Sequence, residues 1–258
     1  MVLDGKTAVV TGGGRGIGAA VVRELAEAGV RVVAAARTFT EIEALAAELR
    51  SAGHNATALA CDVADPASIQ RLAEEVQARF GGADILVNNA GIADSAPVKA
   101  VALTDWERIF AVNVTGTFLC TKAFLPGMLA RGWGRVVNVS SVAGLNGGAY
   151  IAPYSASKHA VIGFTRSLAL EVASKGITVN AVCPGYVDTP LTDQSVARII
   201  EKTGRSAAEA RAGLERLSPQ GRLFEPEEVS YLVFCLCHPR AKGINGQAIV
   251  LDGGALLQ

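Results

Sequence analysis

Short β-branched runs alternate with helix-length segments along almost the whole chain, and this alternation limits the possible folds more than any other feature. The segments at residues 16–28, 39–50, 66–80, 104–131 and 153–174 have the apolar spacing of helices. The strand-like runs are continuously apolar, which is typical of strands covered by helices on both faces. The sequence therefore predicts a doubly wound α/β fold with a seven-stranded parallel sheet. The seven predicted strands are residues 7–11, 31–35, 56–60, 84–88, 135–140, 177–182 and 247–251.

The chain has the length and composition of one domain. Of its 258 residues, 50% are apolar and 19% are charged, which is enough apolar material for one large core. No repeat, low-complexity tract or linker divides the sequence. The one long interruption of the pattern is residues 190–217, between the sixth strand and the last helix. We predict a single domain over residues 1–258.

Charge and cysteine content exclude several classes of function. The 24 basic residues balance the 24 acidic ones, so no net field would attract nucleic acid or an anionic membrane. No signal-peptide pattern precedes the first strand, and no uninterrupted apolar stretch approaches the roughly 18 residues of a membrane span. The five cysteines form no C-x-x-C pair, and Cys235, Cys237 and His238 lack the spacing of metal ligands. We expect a cytoplasmic protein with free thiols, no metal, no nucleic acid partner and no membrane partner.

The glycine-rich segment TGGGRGIG, residues 11–18, leaves the first strand and enters the first helix. Glycines at 12, 16 and 18 allow positive φ angles, a close approach of the backbone to a pyrophosphate, and tight packing of the helix on the sheet. The helix N-terminus would face the anion. Any tight turn between a strand and a helix favours glycine, but the strand before and the helix after it are the context that dinucleotide binding requires. This turn predicts a Rossmann fold.

The end of the second strand indicates which dinucleotide is bound. NAD-binding proteins place an acidic residue there to hold the ribose 2′-hydroxyl. This sequence has Ala36 and Arg37 instead, and no carboxylate at that position would repel a 2′-phosphate. Arg15 and Arg37 could hold that phosphate together, so NADP(H) is preferred and NAD(H) remains possible. The alternative is that both arginines are solvated surface residues.

Tyr154 and Lys158 are four residues apart at the start of a predicted helix and share one of its faces. A free phenol has a pKa of about 10, and a nearby ammonium group would lower it toward the range useful for acid–base catalysis. The fifth strand would deliver Ser141 to the same carboxyl edge of the sheet, where open α/β sheets bind ligands. Surface helices also place tyrosine and lysine at this interval, so the pair alone does not establish a site.

Taken together, these motifs resemble the classical short-chain dehydrogenase/reductase family over the whole length of the chain. The further motifs are CDV at 61–63, NNAG at 88–91, Asn113 and PGYVDT at 184–189. The resemblance implies a dinucleotide-binding catalytic domain over residues 1–258, with residues 190–217 as a substrate lid. It also implies a small carbonyl or alcohol substrate and a homotetramer assembled through the helices at 104–131 and 153–174.

The resemblance also assigns roles to individual residues. Tyr154 would donate a proton to the carbonyl oxygen, Ser141 would hydrogen-bond that oxygen, and Lys158 would hold the ribose and lower the tyrosine pKa. Asn113 would anchor a water that relays protons. Three of the implied residues have plain structural alternatives: Asn113 as the cap of a helix kink, Asp62 as the start of a turn, and Thr189 as the start of a helix. The implied cofactor-binding residues are Gly12, Arg15, Gly16, Ile17, Gly18, Arg37, Asp62, Val63, Asn89, Ala90, Gly91, Tyr154, Lys158, Pro184, Gly185, Val187 and Thr189.

The substrate is less constrained. Enzymes for small hydroxy acids carry a histidine and a lysine where this sequence has Ala143 and Ile151, so a free keto acid would lose its charge partners. This difference favours an apolar ketone or a 3-oxoacyl thioester, reduced by a ketoreductase. A hydroxyacyl-CoA or secondary-alcohol dehydrogenase acting oxidatively is the second interpretation, and a non-catalytic dinucleotide sensor is the third. Basic residues of the 190–217 segment could meet the phosphates of a thioester arm or form a solvated helix face: Arg198, Lys202, Arg205, Arg211 and Arg216.

Overall fold

A computed structural model describes residues 3–257, and its centre is one parallel sheet. The strand order is β3-β2-β1-β4-β5-β6-β7, and all neighbouring strands are parallel. This confirms the predicted doubly wound fold, and every strand begins and ends within two residues of its predicted bounds. The strands are β1 (Thr7–Thr11), β2 (Arg31–Ala36), β3 (Ala56–Ala60), β4 (Ile85–Asn88), β5 (Gly134–Val139), β6 (Ile177–Pro184) and β7 (Ala248–Leu251).

Nine α-helices accompany the strands within residues 3–257. The segment predicted as one helix over 104–131 consists of α4 and α5 joined by a π-helical turn at Ala111–Thr115. The 190–217 segment is largely helical, as α7 and α8. The helices are α1 (Gly16–Glu27), α2 (Phe39–Ser51), α3 (Pro66–Phe80), α4 (Leu103–Phe110), α5 (Gly116–Arg131), α6 (Ala152–Val172), α7 (Pro190–Thr203), α8 (Ala207–Glu215) and α9 (Pro226–Cys237).

Two apolar cores lie on the two faces of the sheet. Within β1, Ala8 and Val10 face the core that includes α1, α2 and α9, while Val9 faces the core that includes α3, α5 and α6. Because successive side chains of a strand point to opposite faces, a strand covered on both sides must be apolar at every position. This geometry is the reason that the strands appear in the sequence as unbroken apolar runs.

The order of the strands reverses direction at β1, whose neighbours are β2 on one side and β4 on the other. The chain adds β2 and β3 on one side of β1, and it then crosses over to add β4 on the other side of β1. The loops after β1 and β4 therefore diverge and leave a crevice at the carboxyl edge of the sheet. The segments that follow β1, β4 and β5 all open toward this edge.

Together, α4, the π-helical turn and α5 form an apolar unit of 29 residues, Leu103–Arg131, that is long and apolar enough to cross a membrane by length and composition. Its most apolar 18-residue window has a mean hydropathy of 1.3, and 44% of that window is buried inside the protein. Core helices of globular proteins have the same properties. Cys120, Phe124 and Met128 of this unit pack into the core beneath the sheet, which accounts for its apolar composition.

The five cysteines are free thiols in the structure, and four of them are buried. Burial raises the pKa of Cys120 and Cys237 to about 12, so these thiols behave as small apolar groups. Residues 3–257 contain no cluster of three or more His, Cys, Asp or Glu side chains arranged to hold a metal ion.

The glycine turn between β1 and α1 generates the first prediction. A β-carbon added to Gly18 would lie 2.1 Å from the carbonyl oxygen of Gly12, a backbone atom that cannot move aside freely. We expect Gly18→Ala to destabilise the protein by about 1–3 kcal/mol, measured by thermal or urea unfolding. The control is Gly213→Ala in α8, where a β-carbon meets nothing within 4 Å and φ is not positive. That variant should be neutral or slightly stabilising, and equal losses in both variants would contradict the packing argument.

Candidate active site

A cavity of about 770 Å³ opens at the carboxyl edge of the sheet, above the point where the strand order reverses. Its walls come from the glycine turn, the segments that follow β2 to β6, and α6. Nearly all of the residues that the sequence singled out line it. The exceptions are Gly18 and Asn113, which support the wall from behind. The predicted residues that line the cavity are Gly12, Arg15, Gly16, Ile17, Arg37, Asp62, Val63, Asn89, Ala90, Gly91, Ser141, Tyr154, Lys158, Pro184, Gly185, Val187 and Thr189.

The glycine turn forms a tight cradle at one end of the cavity. Gly12 and Gly16 have φ angles of +64° and +53°, a region that favours glycine. The Asn89 amide holds the turn from the side, because its Nδ2 donates to the carbonyl oxygens of Thr11 (3.0 Å) and Gly12 (3.1 Å). The turn thus approaches α1 and the end of β4 more closely than any side chain at Gly12 would allow. This geometry fits the pyrophosphate of a dinucleotide.

Arg15 and Arg37 are exposed and line the same end of the cavity. Neither guanidinium forms an ion pair within residues 3–257, so both are free to bind an anion. The sequence offered no carboxylate at the end of β2, but the structure brings Glu41, from the first turn of α2, to this end of the cavity. A β-carbon at Gly14 would lie 3.1 Å from the Glu41 Oε2 atom. Arg15, Arg37 and Glu41 thus lie in one wall of the cavity, and Asp62 adds a second carboxylate to its lining.

Asp62 and Val63 line the cavity beyond β3. The Asp62 Oδ1 atom accepts a hydrogen bond from the backbone N–H of Ala64 at 2.9 Å, so the residue also starts the turn that precedes α3. Its own backbone N–H donates to Ser68 Oγ at 3.1 Å. Asp62 therefore starts a turn, as its structural alternative predicted, and it also lies in the cavity wall.

Ser141, Tyr154 and Lys158 meet at the middle of the cavity. Ser141 follows β5 and begins a short 3₁₀ turn, and its Oγ accepts from the N–H of Ala143 at 3.1 Å. Tyr154 lies in the first turn of α6, and the Lys158 Nζ atom is 5.6 Å from the centre of its ring. The Lys158 Nζ donates to the carbonyl oxygen of Val139 at 2.9 Å, and only 5% of the lysine is exposed.

Burial controls the acid–base properties of this group. It lowers the pKa of Lys158 from 10.5 to about 8. It raises the pKa of Tyr154 to about 12, although a hydrogen bond with the Ser141 side chain acts in the opposite direction. The prediction that Lys158 lowers the tyrosine pKa is therefore wrong for this structure. The lysine shares the expected face of α6, but desolvation of the phenolate has the largest effect on the Tyr154 pKa, and the group that lowers this pKa is Ser141.

Asn113 lies in the π-helical turn and is 1% exposed. Its Oδ1 accepts from the N–H of Ile92 at 2.9 Å, and its Nδ2 donates to the Ile92 carbonyl oxygen at 2.9 Å. The carbonyl oxygen of Asn113 accepts from Thr117 Oγ1 at 2.8 Å. The asparagine thus stands at a helix irregularity, but its side chain bonds to Ile92 and does not cap a helix end, as the structural alternative predicted that it would. A β-carbon on Gly91 would be 3.5 Å from both Asn113 Oδ1 and Lys158 Nζ, so both side chains lie close to Gly91.

The segment after β6 forms another wall of the cavity and reaches the glycine turn. Thr189 is the N-cap residue of α7, which is the structural alternative that the sequence offered, and its Oγ1 donates to the Val187 carbonyl oxygen at 3.3 Å. Its Cγ2 atom lies 3.1 Å from the position of a β-carbon on Gly16. The start of α7 therefore rests directly on the glycine cradle. Pro184 contributes its carbonyl oxygen, 3.5 Å from Ser141 Oγ.

The remaining part of the cavity is mostly apolar. Ala143 and Ile151, which the sequence places where a carboxylate clamp stands in small-acid enzymes, both line it. The polar side chains on this side are those of Asn146, Thr192, Gln194 and Ser195. The other residues of this part are Val142, Gly147, Gly148, Ala149, Tyr186, Leu191, Leu217 and Leu256.

Most basic residues of the 190–217 segment already have acidic partners. Arg198 pairs with Asp94 at 2.6 Å, and Lys202 pairs with its neighbour Glu201 at 2.6 Å. Arg211 makes a two-pronged contact with Asp188, with distances of 3.1 and 2.5 Å. These pairs agree better with the solvated helix face that the sequence offered than with a phosphate-binding surface.

The sequence missed several residues that shape the site. The sequence did not predict Glu41, because the acidic residue of NAD-binding proteins is expected at the end of β2 and Glu41 lies in the following helix. A carboxylate in the first turn of that helix is the signal that would indicate it. Thr11 Oγ1 accepts from the N–H groups of Asn89 and Ala90, both at 3.1 Å, and so ties β1 to the segment after β4. No local pattern predicts such a contact across 78 residues of chain.

Known proteins resemble this chain in sequence and in fold. A family model described as short chain dehydrogenase matches residues 6–199. The structure superposes on a crystal structure of a variant of actinorhodin polyketide ketoreductase with NADPH with a TM-score of 0.94, at 40% identity over 97% of each chain. The sequence is 39% identical to the 3-oxoacyl-(acyl-carrier-protein) reductase FabG of Vibrio cholerae over 98% of each chain. It is 38% identical to the D-beta-hydroxybutyrate dehydrogenase of Cupriavidus necator over 99% of this chain and 100% of that one.

The matched region contains the glycine cradle, Ser141, Tyr154 and Lys158, and the relatives align with this chain nearly end to end. The fold, the crevice and the sequence matches thus agree, and the chain belongs to the short-chain dehydrogenase family.

Proposed function

We propose that the protein is an NADP(H)-dependent carbonyl reductase that transfers hydride to a ketone, most favourably a 3-oxoacyl thioester or a similar apolar ketone. The observation that carries this proposal is the convergence of Ser141, Tyr154 and Lys158 on the wall of a cavity that also contains the glycine cradle. One bound dinucleotide spanning the cavity would bring its reactive ring to the hydroxyl groups. The related NADPH-bound polyketide ketoreductase and the related 3-oxoacyl reductase support both the cofactor and the substrate class.

In the proposed mechanism, NADPH supplies a hydride to the carbonyl carbon when it is bound. The carbonyl oxygen gains negative charge, and Tyr154 Oη donates its proton to that oxygen to complete the alcohol. Ser141 Oγ donates a hydrogen bond to the same oxygen and stabilises the developing charge. The raised pKa of Tyr154 keeps the phenol protonated at neutral pH, the form that a proton donor needs. Lys158 holds a positive charge beside it, with a pKa of about 8.

We propose that Arg15 and Arg37 bind the 2′-phosphate of NADP(H), and that Gly12, Gly16 and Ile17 contact the pyrophosphate. Gly18 and Asn113 would act from behind the cavity wall. Gly18 would allow the close packing of the glycine turn, and Asn113 would hold the segment at Ile92. The other cofactor contacts would come from residues on the two flanks of the cavity. These are Asp62, Val63, Asn89, Ala90, Gly91, Tyr154, Lys158, Pro184, Gly185, Val187 and Thr189.

The proposed substrate class rests on the apolar end of the cavity. Ala143 and Ile151 offer no charge to a free carboxylate, which favours a neutral ketone or a thioester. A dehydrogenase acting on a 3-hydroxyacyl or other secondary alcohol is the second candidate, because one relative is a hydroxybutyrate dehydrogenase. The two candidates share the site and differ in the direction of hydride transfer.

We also propose that the 1–258 chain works as one catalytic domain in which residues 190–217 form a lid. Leu191, Gln194 and Leu217 reach the cavity, while α7 and α8 pack chiefly on each other and little on the rest of the protein. A parallel bridge between Val187 and Phe224 joins the two stems of this segment. A helical pair that covers a cavity and is joined to the body at its stems is suited to opening and closing.

We also propose that the protein is a cytoplasmic homotetramer that binds neither nucleic acid nor a membrane. Large apolar side chains remain exposed on α4, α5 and α6, among them Leu103, Phe118 and Leu170, which is 82% exposed. Pairing of these helices with those of a second copy would cover them. Balanced charge and the free thiols agree with a cytoplasmic protein that binds small molecules.

Replacing the phenol tests the proposed chemistry directly. We expect Tyr154→Phe to lower kcat for acetoacetyl-CoA reduction by about 10²–10⁴-fold, because the proton donor is lost, while NADPH still binds. NADPH absorbance measures turnover, and cofactor fluorescence measures binding. Tyr150→Phe is the control, because that exposed tyrosine lies four residues earlier and does not line the cavity.

Retention of full activity by Tyr154→Phe would contradict the mechanism. NADPH binding by the wild-type protein without turnover of any ketone would favour a dinucleotide sensor instead. The same assay with free acetoacetate tests the substrate class, and a higher kcat/KM for the free acid than for its CoA thioester would overturn it.

The arginine pair generates a prediction about cofactor choice. We expect Arg37→Gln and Arg15→Gln each to raise the KM for NADPH by about 10-fold or more, since each removes a charged hydrogen-bond donor to the 2′-phosphate. The KM for NADH should stay within about twofold. Arg71→Gln is the control, because Arg71 is an exposed arginine of α3 that pairs with Asp65. An equal effect on both cofactors would show that the arginines do not read the 2′-phosphate.

The buried ammonium group predicts a dependence of stability on pH. The pKa of Lys158 is about 8 in the folded protein and 10.5 as its ordinary value, so the unfolded chain binds more protons between these limits. The contribution of this lysine to stability therefore rises with pH across that window. We expect the stability of wild type relative to Lys158→Met to rise by about 2 kcal/mol between pH 7 and pH 9.5. Urea unfolding at both pH values measures it, and an unchanged difference would contradict the shift.

A further inference from the structure

Asn113 has one hydrogen-bonding contact beyond Ile92, and it leads to α6. The second Nδ2 proton of Asn113 points to Ser157 Oγ at 3.0 Å. Ser157 lies between Tyr154 and Lys158 in the sequence and is completely buried, with 0% exposure. The Asn113 side chain thus connects three segments: the π-helical turn, the segment after β4 at Ile92, and α6.

The hydroxyl of Ser157 has a definite orientation. Its Oγ is 2.7 Å from the carbonyl oxygen of Tyr154, and a hydroxyl has a single proton, which it donates to that oxygen. A lone pair of Oγ is then directed at the Nδ2 group of Asn113, which can only donate. Within residues 3–257, no other side chain of α6 hydrogen-bonds to Asn113.

We infer that Ser157 is a positioning residue for the reaction: it locks the first turn of α6 to Asn113 and Ile92, and so holds Tyr154 and Lys158 in place against the cavity. The inference rests on the proposed function, in which those two side chains act. Ser157 itself does not line the cavity, so it acts through its neighbours.

The surroundings show why a hydroxyl is needed at this position. Asn113 is 1% exposed, so an amide proton deprived of Ser157 would find no water in its place. A buried donor without a partner is costly, and the turn would shift to satisfy it. Such a shift would move Ile92, which lines the cavity, and Asn113, which like the Lys158 ammonium lies close to Gly91. Displacements of about 1 Å at a catalytic group can cost about 100-fold in rate.

The chain offers a closely matched control on the same helix. Thr165 is also 0% exposed, its Oγ1 accepts from the amide of Asn138 at 2.9 Å, and it donates to the carbonyl oxygen of Val161 at 2.8 Å. The bonding pattern is therefore the same as that of Ser157: an asparagine amide on one side and a preceding helical carbonyl on the other. Thr165 lies eleven residues beyond Tyr154, about 16 Å along the helix, and away from the cavity.

The experiment compares Ser157→Ala with Thr165→Val in the full-length protein with NADPH. Both variants should lose similar thermal stability, since each leaves one buried amide without its acceptor. We expect kcat to fall by about 10–100-fold only in Ser157→Ala, with the KM for ketone and the Kd for NADPH within about threefold of wild type. The pH at which kcat is half-maximal should shift by about half a unit or more only in that variant. Ser157→Cys keeps the volume and serves if the alanine variant does not fold.

Hydrogen exchange provides a readout that does not depend on turnover. Amide exchange in residues 90–93 and 111–115 should accelerate in Ser157→Ala and stay unchanged in Thr165→Val. Equal loss of kcat in both variants would overturn the inference, because the effect would then reflect helix stability. Unchanged kcat, pH profile and exchange in Ser157→Ala would overturn it as well. Failure of the proposed function is distinguishable, since it would appear as activity that survives Tyr154→Phe.

Discussion

The contact between the first half of α6 and the end of β5 is the constraint on which the site depends. The Lys158 ammonium donates to the carbonyl oxygen of Val139, the last residue of the strand, and Ser140 Oγ donates back to the carbonyl oxygen of Lys158 at 3.1 Å. Gly144 allows this proximity, because a β-carbon there would lie 2.8 Å from the backbone of Lys158. The helix is thereby held against the strand end, and Tyr154 comes within reach of Ser141.

The burial that holds Tyr154 and Lys158 in place also determines their protonation states. Removing the phenol and the ammonium from water favours their neutral forms, which raises one pKa and lowers the other. At neutral pH the pair consists of a protonated phenol beside a cation, because neither shift crosses pH 7. The packing of α6 thus holds the phenol in its protonated form, the form that a proton donor needs.

Behind the wall of the cavity lies a layer of polar side chains whose partners are mainly backbone groups. The Asn89 amide holds the glycine turn, and the Asn113 amide holds the exit of β4. Such side chains stabilise conformations that helices and strands cannot provide, such as the π-helical turn at Ala111–Thr115. The cavity can therefore present irregular backbone to a ligand and still be rigid.

Much of this could be predicted from local patterns. Strand and helix periodicity, the glycine turn and the tyrosine–lysine interval depend on neighbouring residues, so the sequence alone determined the sheet, the dinucleotide cradle and the residues that gather around it. The tertiary structure alone decided how those residues are partnered. The approach of Glu41 to Gly14, the contacts of Thr11 with Asn89 and of Ser157 with Asn113, and the direction of the Tyr154 pKa all depend on contacts between distant segments and on the exclusion of water. Desolvation belongs to the packed molecule, and no spacing of residues along the chain encodes its magnitude.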